Sequence, residues 1–570
     1  MFTAHQLKDI VIKGKILSEK EFAIVVADAQ KQKVKIEDHL INKKVVSEDL
    51  LYSIAATVLG LPFVNLRTQI IPDDVLTLVP EPIAVTNNIV AFKKDGEQIH
   101  VATTDPNDLT TQETLQKETG CTLIVYVTTP AAMKDALKQY HKELSQEFQK
   151  MTDDVAVTGG ENAAQELPTI RMVDTFLEHA IIEGASDIHI EPAEKEMIIR
   201  YRIDGILRPV MTLPKSVQAG IIARIKVLAN LKIDEHRLPQ DGRFKITTSQ
   251  TQVSFRVSTI PVFDGEKIVL RLLQEGTRVL SLEQLGLAPA SFDAVRQSIE
   301  KPHGLLLVTG PTGSGKTTTL YTLLNMLNKP GVNIITIEDP IEYRMPGVNQ
   351  SQVNPKIGFT FATGLRAFLR QDPNVIMVGE IRDTETAEIA IHAALTGHLV
   401  LSTLHTNDAV TSIARLLDMG APAFLVSSTL VLIIAQRLVR KICPNCISSY
   451  TLDKKAITEL ERHFNMKEII EVMAREKTIA STKETLASML FYRGNGCNEC
   501  HKEGYKGRVG IYEILEISPA MGTLILHQPT REELFAQAKK DGMITLAQEG
   551  FMKAKNGITT IEELIRVTKE

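Results

Sequence analysis

The octapeptide Gly310-Pro311-Thr312-Gly313-Ser314-Gly315-Lys316-Thr317 carries the clearest chemistry in this 570-residue chain. Its spacing, G-x-x-x-x-G-K-T, is that of a phosphate-binding loop. Glycines let the backbone wrap an anion with its N–H groups pointing inward. A helix that starts there adds its positive end. Lys316 is placed to reach the outer phosphates, and the Thr317 hydroxyl to hold Mg²⁺. The alternative is a chance match in a Gly/Ser/Thr loop. An apolar run before it, Gly304-Leu-Leu-Leu-Val-Thr309, and a helix-compatible segment from Thr318 onward argue against chance. The expected ligand is a nucleoside triphosphate. The motif alone does not say what its energy is used for.

Three later segments have the right residue types to act on that ligand. Asn333-Ile-Ile-Thr-Ile-Glu-Asp-Pro-Ile-Glu342 is an apolar strand running into acids. Asn374-Val-Ile-Met-Val-Gly-Glu-Ile-Arg-Asp383 is a second, ending at Glu380. Thr396-Gly-His-Leu-Val-Leu-Ser-Thr-Leu-His-Thr-Asn407 is a third, flanked by His398 and His405. Parallel strands with crossover helices place their carboxyl ends at one edge. Glu338, Glu380, His398 and His405 are therefore expected to converge on the γ-phosphate. A carboxylate there orients or deprotonates water, and a histidine senses the phosphate. Asp339 and Asp383 suit helix N-caps instead. Arg366 and Arg370 share one helix face at i, i+4, and Arg382 follows Glu380. These three are either a solvated face or cations that stabilise a transferring phosphate, often from a neighbouring subunit.

Cys443-Pro-Asn-Cys446 and Cys497-Asn-Glu-Cys500 form a second constellation. Two C-x-x-C knuckles supply the four thiolates of a closed tetrahedral Zn²⁺ site, with no open position for catalysis. Redox chemistry is conceivable for either pair alone, and disulfides are disfavoured in a cytosolic chain. The insert between the pairs reads as mostly helical and charged. Cys121 stands in an apolar run and is expected in a core strand.

The elements that position these residues follow from length and pattern. The length predicts three or four domains. The net charge of −5 gives no global argument for nucleic acid. The N-terminus lacks a basic region followed by an apolar block. The apolar run 424–435 is too short to span a bilayer and reads as a buried helix. Residues 1–66 read as helical, with two similar blocks, each ending at a serine (Ser18, Ser47) placed to cap a further helix. Leu61-Pro-Phe-Val-Asn-Leu66 is extended. Residues 67–141 read as a small α/β domain with a hairpin turning at Lys94-Asp-Gly-Glu97. Residues 142–167 read as a flexible linker. Residues 168–275 read as an α+β unit rich in arginine, including Arg243, Arg256 and Arg271. Asp187 and His189 could belong to a triad or a metal site, but no partner pattern supports that. Residues 276–570 form the nucleotide-binding core, with the cysteine element at about 441–510 and a helical tail.

Taken in order, these segments resemble the Walker A, Asp box, Walker B and His box of the type II secretion and type IV pilus ATPase superfamily. Ala185-Ser-Asp-Ile-His-Ile-Glu-Pro192 and Arg237-Leu-Pro-Gln-Asp-Gly-Arg243 resemble its arginine-rich domain. The resemblance covers about residues 165–570. It implies a multidomain α/β protein: a RecA-like P-loop core, a PAS-like arginine-rich domain before it, a helical plus α/β N-terminal region and a zinc-binding insertion. It implies a cytoplasmic homohexamer that hydrolyses ATP with Mg²⁺, with Glu338 and Glu380 as catalytic and metal-coordinating acids. Arg256 and Arg271 would reach the γ-phosphate. The cysteine element and long N-terminal region point to the pilus-extension and secretion branch. Pilus assembly is the expected role and type II secretion the alternative, each acting through an inner-membrane platform protein met by the N-terminal region or ring face. Some members bind cyclic di-GMP through repeats beginning Arg-Leu-Gly. Here the blocks begin Leu7-Lys-Asp and Ile36-Glu-Asp, so cyclic di-GMP is not expected. A nucleic-acid motor and a non-hydrolysing nucleotide-gated scaffold are the rivals from other classes.

Overall fold

The computed structural model describes residues 4–14, 16–31, 36–42, 45–69, 71–137, 162–247, 252–274, 280–482, 484–500 and 502–568. The chain divides into two compact units, Met1–Leu272 and Leu273–Glu570. Among the described residues, no helix is long and apolar enough to cross a membrane.

The first unit opens with the helices Ala4–Lys13, Glu19–Lys31, Ile36–Asn42 and Glu48–Leu59. Both expected serine caps are present. Ser47 Oγ accepts from the Leu50 N–H at 3.3 Å, and Ser18 Oγ accepts from the Glu21 N–H at 3.4 Å. The extended segment after them does not end a separate body. Val64 N donates to Val127 O at 3.0 Å, and Val127 N donates to Pro62 O at 2.9 Å. The next layer is a three-stranded sheet of β1 (Ile89–Asp95), β2 (Gln98–Thr103) and β3 (Thr122–Val127). Gly96 takes φ 60° at the predicted hairpin turn. Cys121 lies just before β3 and is half-buried, not inside a core strand.

Most of the expected linker, 142–161, lies outside the described residues, as does its Gly159-Gly160 pair. Its end is corrected: a helix spans Asn162–Ile182. Ala163-Ala-Gln-Glu-Leu167 are strong helix formers, and that preference overrides the polar composition. The helix leads to an antiparallel sheet of six strands: β4 (Asp187–Pro192), β5 (Glu196–Ile203), β6 (Ile206–Pro214), β7 (Gln240–Thr247), β8 (Gln252–Val262) and β9 (Gly265–Gln274). Their order is β6-β5-β4-β9-β8-β7. Period-2 alternation gives one apolar face, where Ile188, Ile190, Tyr201 and Phe255 pack with Phe176 and Ile225 of two helices.

The other face of β4 is a ladder of charge. Asp187 stands opposite Arg202 on β5 and Arg271 on β9. Glu191 pairs with Arg200 at 2.7 Å and Lys267 at 2.8 Å, and His189 Nδ1 lies 3.7 Å from Glu191. Asp187 is taken up by cross-strand ion pairs with Arg202 and Arg271, and His189 lies beside Glu191 on the same strand; neither a triad nor a metal site is assembled there among the described residues.

The second unit is built on one seven-stranded sheet. Its strands are β10 (Gly304–Thr309), β11 (Ile334–Glu338), β12 (Asn349–Gln352), β13 (Val375–Val378), β14 (Leu399–Leu404), β15 (Leu430–Ile442) and, after the insert, β18 (Tyr505–Glu516). The order is β12-β11-β13-β14-β10-β15-β18, parallel throughout except for antiparallel β18. Every residue of β10, β11, β13 and β14 is buried, which is why they read as unbroken apolar runs. The run 424–435 is corrected: it is a short helix, Ala423–Thr429, followed by the first half of β15. Val431, Ile433 and Ile434 are β-branched and fit the space between β10 and β18 better than a helix would. The insert is less helical than expected: its helices Lys454–His463 and Met466–Arg475 are framed by the hairpin β16 (Ile447–Thr451) and β17 (Leu490–Gly494).

The Glu191 ladder gives a test. Burial raises the Glu191 pKa, but Arg200 and Lys267 outweigh it and hold the group down at about 2. A depressed carboxylate stabilises the fold above its ordinary pKa and loses that contribution as pH falls. Glu191→Gln is therefore expected to destabilise the first unit at pH 7. Urea denaturation should show this difference shrinking as pH falls from 4.5 towards 2.

Candidate functional site

The phosphate loop follows β10 directly, and the helix Lys316–Leu327 starts within it. Gly310, Gly313 and Gly315 take φ of 147°, 81° and 90°. A Cβ at Gly310 would stand 2.4 Å from Gln436 O, so the loop hugs β15 too closely for a side chain there. Ser314 Oγ is buried without a hydrogen-bond partner. An orphaned hydroxyl inside a glycine cradle at a helix start fits a phosphate oxygen. Lys316 Nζ donates to Gly310 O at 2.8 Å and Pro311 O at 3.1 Å. Burial lowers the Lys316 pKa, with Glu380 opposing the drop and Arg437 adding to it.

Glu380 sits two residues beyond β13. Its loop is tied on both sides: Gly379 N donates to Ile337 O at 2.8 Å, and Ile381 N donates to Thr403 O at 3.0 Å. The Glu380 carboxylate pairs with Arg382 at 2.6 Å and with His405 Nε2 at 3.3 Å. The Glu380 hydrogen bond raises the Arg382 pKa. The structure thus brings Glu380, Arg382 and His405 together beside Lys316.

Glu338, the last residue of β11, is 2% exposed. It accepts from Thr336 Oγ1 at 2.5 Å, from Gln350 Nε2 at 3.2 Å and from the Tyr321 hydroxyl on the phosphate-loop helix. It belongs to the same sheet edge, fixed by neutral donors. His398 does not join this group. It precedes β14, where Leu399 pairs with Gly304 at the start of β10, so it lies at the opposite sheet edge from the phosphate loop. Its Nδ1 is 2.9 Å from Ala393 O. Glu338, Glu380 and His405 thus stand at strand ends on one rim, and His398 stands at a strand start.

Arg366 pairs with Glu385 at 2.6 Å, and Arg370 donates to the Arg366 carbonyl at 2.9 Å. The helix ends at Phe368, so Arg370 lies just past it. Asp383 is the N-cap of the helix Thr384–Leu395, as expected. In the first unit, Arg256 is exposed on β8 opposite Arg243, and Arg271 Nε donates to Asp187 Oδ1 at 3.0 Å.

Sequence reading missed three supports. Thr309 accepts from the Thr406 N–H at 3.0 Å and lies 2.5 Å from the Thr406 hydroxyl, which is 2.6 Å from Ser412 Oγ. This hydroxyl chain ties the segment after His405 to the base of the phosphate loop. Gln436 packs against the loop glycines, and Arg437 donates to Asn407 Oδ1 at 3.0 Å. The apolar run misread as helix hid the strand that delivers both.

The four cysteines come together at the far end of β15. Cys443–Cys497 and Cys446–Cys500 Sγ distances are 3.8 Å, Cys497–Cys500 is 3.7 Å, and all four sulfurs lie within 4.8 Å of one another. A disulfide needs about 2.05 Å. A tetrahedron with Zn–S of about 2.3 Å has edges of about 3.8 Å. Cys497 N and Gly504 N also donate to Cys500 Sγ, each at 3.1 Å, as suits a thiolate. The donor set fits structural zinc with all positions filled by protein.

A family model described as Type II/IV secretion system protein matches residues 162–566, and one described as MshEN domain matches residues 59–147. The type IV pilus assembly ATPase PilB of Myxococcus xanthus is 37% identical over 98% of this chain and 98% of its own length. Type II secretion system protein E of Pseudomonas aeruginosa is 46% identical over 71% of this chain and 76% of its own. The solved structure of the Yersinia pseudotuberculosis ATPase DotB shares the fold, with a TM-score of 0.50 and 22% identity over 70% of this chain and 92% of that one. The MshEN match leaves the expectation against cyclic di-GMP without support.

Cys497→Ser opens one corner of the thiolate set. Elemental analysis is expected to fall from about one zinc per chain to well below it. Limited proteolysis should then cut the insert first.

Proposed function

We infer the function from one premise: this chain belongs to the family of type II/IV secretion system proteins. It is an ATPase, and its role is type IV pilus assembly. The observation that carries this is length of match. Relatives named type IV pilus assembly ATPase PilB, from Myxococcus xanthus and Pseudomonas aeruginosa, are 37% and 38% identical over 98% of the chain. The type II secretion reading rests on higher identity, 46%, over 71% of the chain. It stands second because that alignment leaves more of the chain unmatched.

The residues support the following division of labour. Backbone N–H groups of Gly310 to Thr317, with Lys316, hold the phosphates of ATP. Thr317 would hold Mg²⁺, which neutralises charge between the outer phosphates when bound. Glu380 orients or deprotonates the attacking water, with Arg382 and His405 beside its carboxylate. Glu338, held by neutral donors at the same rim, is the acid placed to act on the metal. Arg256 and Arg271, on the sheet read as PAS-like, supply cations to the γ-phosphate. Arg366 and Arg370 serve a neighbouring subunit's site. The working form is a cytoplasmic homohexamer. Hydrolysis drives an inner-membrane platform protein met through the N-terminal region. The MshEN match makes cyclic di-GMP a ligand to titrate against that region.

Glu380→Gln is expected to bind ATP as the wild type does and to lose about 10²–10⁴-fold in turnover, the usual range for a general acid–base group. Steady-state phosphate release measures this. Equal rates would refute the role of Glu380. A wild type without turnover would favour the scaffold reading, and strong stimulation by DNA the nucleic-acid motor.

A further inference from the structure

Gln436 meets the phosphate loop at three places. Register puts it there: Thr309, the last residue of β10, pairs with Ala435 of β15. The next residue on each strand is then Gly310 and Gln436. The Gln436 carbonyl oxygen occupies the space a Cβ at Gly310 would need, at 2.4 Å. Its side-chain Nε2 stands 2.8 Å from where a Cβ at Gly315 would be. Its Oε1 accepts from Thr319 Oγ1 at 2.7 Å, one turn into the phosphate-loop helix. The first glycine, the last glycine and the first helical turn are all referenced to one residue.

That residue is well anchored. Gln436 is 1% exposed and Thr319 is fully buried. β15 pairs with β10 on one side and with β18 on the other, where Gln436 stands opposite Tyr512. Tyr512 is buried, and its hydroxyl donates to Leu285 O at 3.1 Å. A buried amide in water-free surroundings is costly unless its bonds are made, so its geometry is strongly specified.

The loop needs such support. Three glycines at positive φ are conformationally free in the unfolded chain and gain little from side-chain packing. Backbone N–H groups bind an anion well only if they already point at it.

We propose that Gln436 is a positioning residue for the nucleotide: it holds the phosphate loop in its binding shape through Gly310, Gly315 and Thr319. This rests on the ATPase reading above. Gln436 does not touch the reacting atoms in this role. The loop it holds grips the phosphates alike in ground and transition states, so the effect falls on affinity and KM more than on kcat.

The test uses the full-length chain and a fluorescent ATP analogue. Gln436→Met keeps the shape and removes both polar ends. It is expected to weaken analogue binding and raise the KM for ATP about tenfold, with kcat within about twofold, the pattern of lost uniform binding. Thr319→Val removes the partner hydroxyl from the other side and guards against misfolding of the first variant. It should weaken binding several-fold, and the double variant should be no worse than Gln436→Met alone, because the two residues act as one unit. Equal binding by wild type and Gln436→Met, or additive effects in the double variant, would overturn the assignment of Gln436. A wild type that fails to bind the analogue would overturn the nucleotide reading beneath it.

Discussion

Parallel pairing is the constraint from which the rest of the nucleotide unit follows. Every strand in such a sheet delivers its carboxyl end to the same rim, however far apart the strands lie in the sequence. Gly310 follows β10, Glu338 ends β11, Glu380 comes two residues after β13 and His405 directly follows β14. Strands lie about 4.8 Å apart, so β13 and β10, separated only by β14, are about 10 Å apart. Side chains of the length of glutamate, histidine and lysine span that gap. The same rule excludes His398. It stands one residue before a six-residue strand. At about 3.3 Å per residue, this is about 20 Å from the rim that holds His405.

The two acids at this rim are held by different chemistry. Glu338 takes hydrogen bonds from a threonine, an amide and a tyrosine, all neutral. Such donors fix the position of the carboxyl group. Glu380 is paired with Arg382 and His405, whose side chains are 61% and 50% exposed. Partners that face solvent can shift when a polyphosphate arrives, because exposed pairs are weak. The two acids thus differ in their surroundings: exposed charged partners at Glu380, buried neutral donors at Glu338.

Legibility followed local signal strength. The phosphate loop, the strand ends and the cysteine pairs were readable because each chemistry needs fixed residues at fixed spacing. The charged ladder on β4 was not. Asp187 and His189 are polar residues at strand period, and only the neighbours of Asp187 on β5 and β9 reveal ion pairs in place of a reactive site. The run 424–435 was misread because a short apolar segment looks alike as buried helix or buried strand. That error hid Gln436 and Arg437, whose importance depends on the pairing of β15 with β10. Pairing between segments more than a hundred residues apart leaves no periodic trace in either one.

The cysteine site makes sense on the same strand. β15 runs from Leu430 past Gln436 to Ile442, and Cys443 comes next; β18 begins soon after Cys500 and pairs back along β15. The insert between the cysteine pairs joins β15 to β18, the strand at the edge of the sheet. Long loops leave their ends free to fray, and closing them costs entropy that grows with length. The four cysteines gather the base of the insert, and Leu460, Met466, Ile469 and Met473 of its two helices share one buried apolar cluster with Val439 of β15 and Val509 and Ile511 of β18. The strand that packs against the phosphate loop is thus paired with β10 at one end and runs into the four-cysteine cluster at the other.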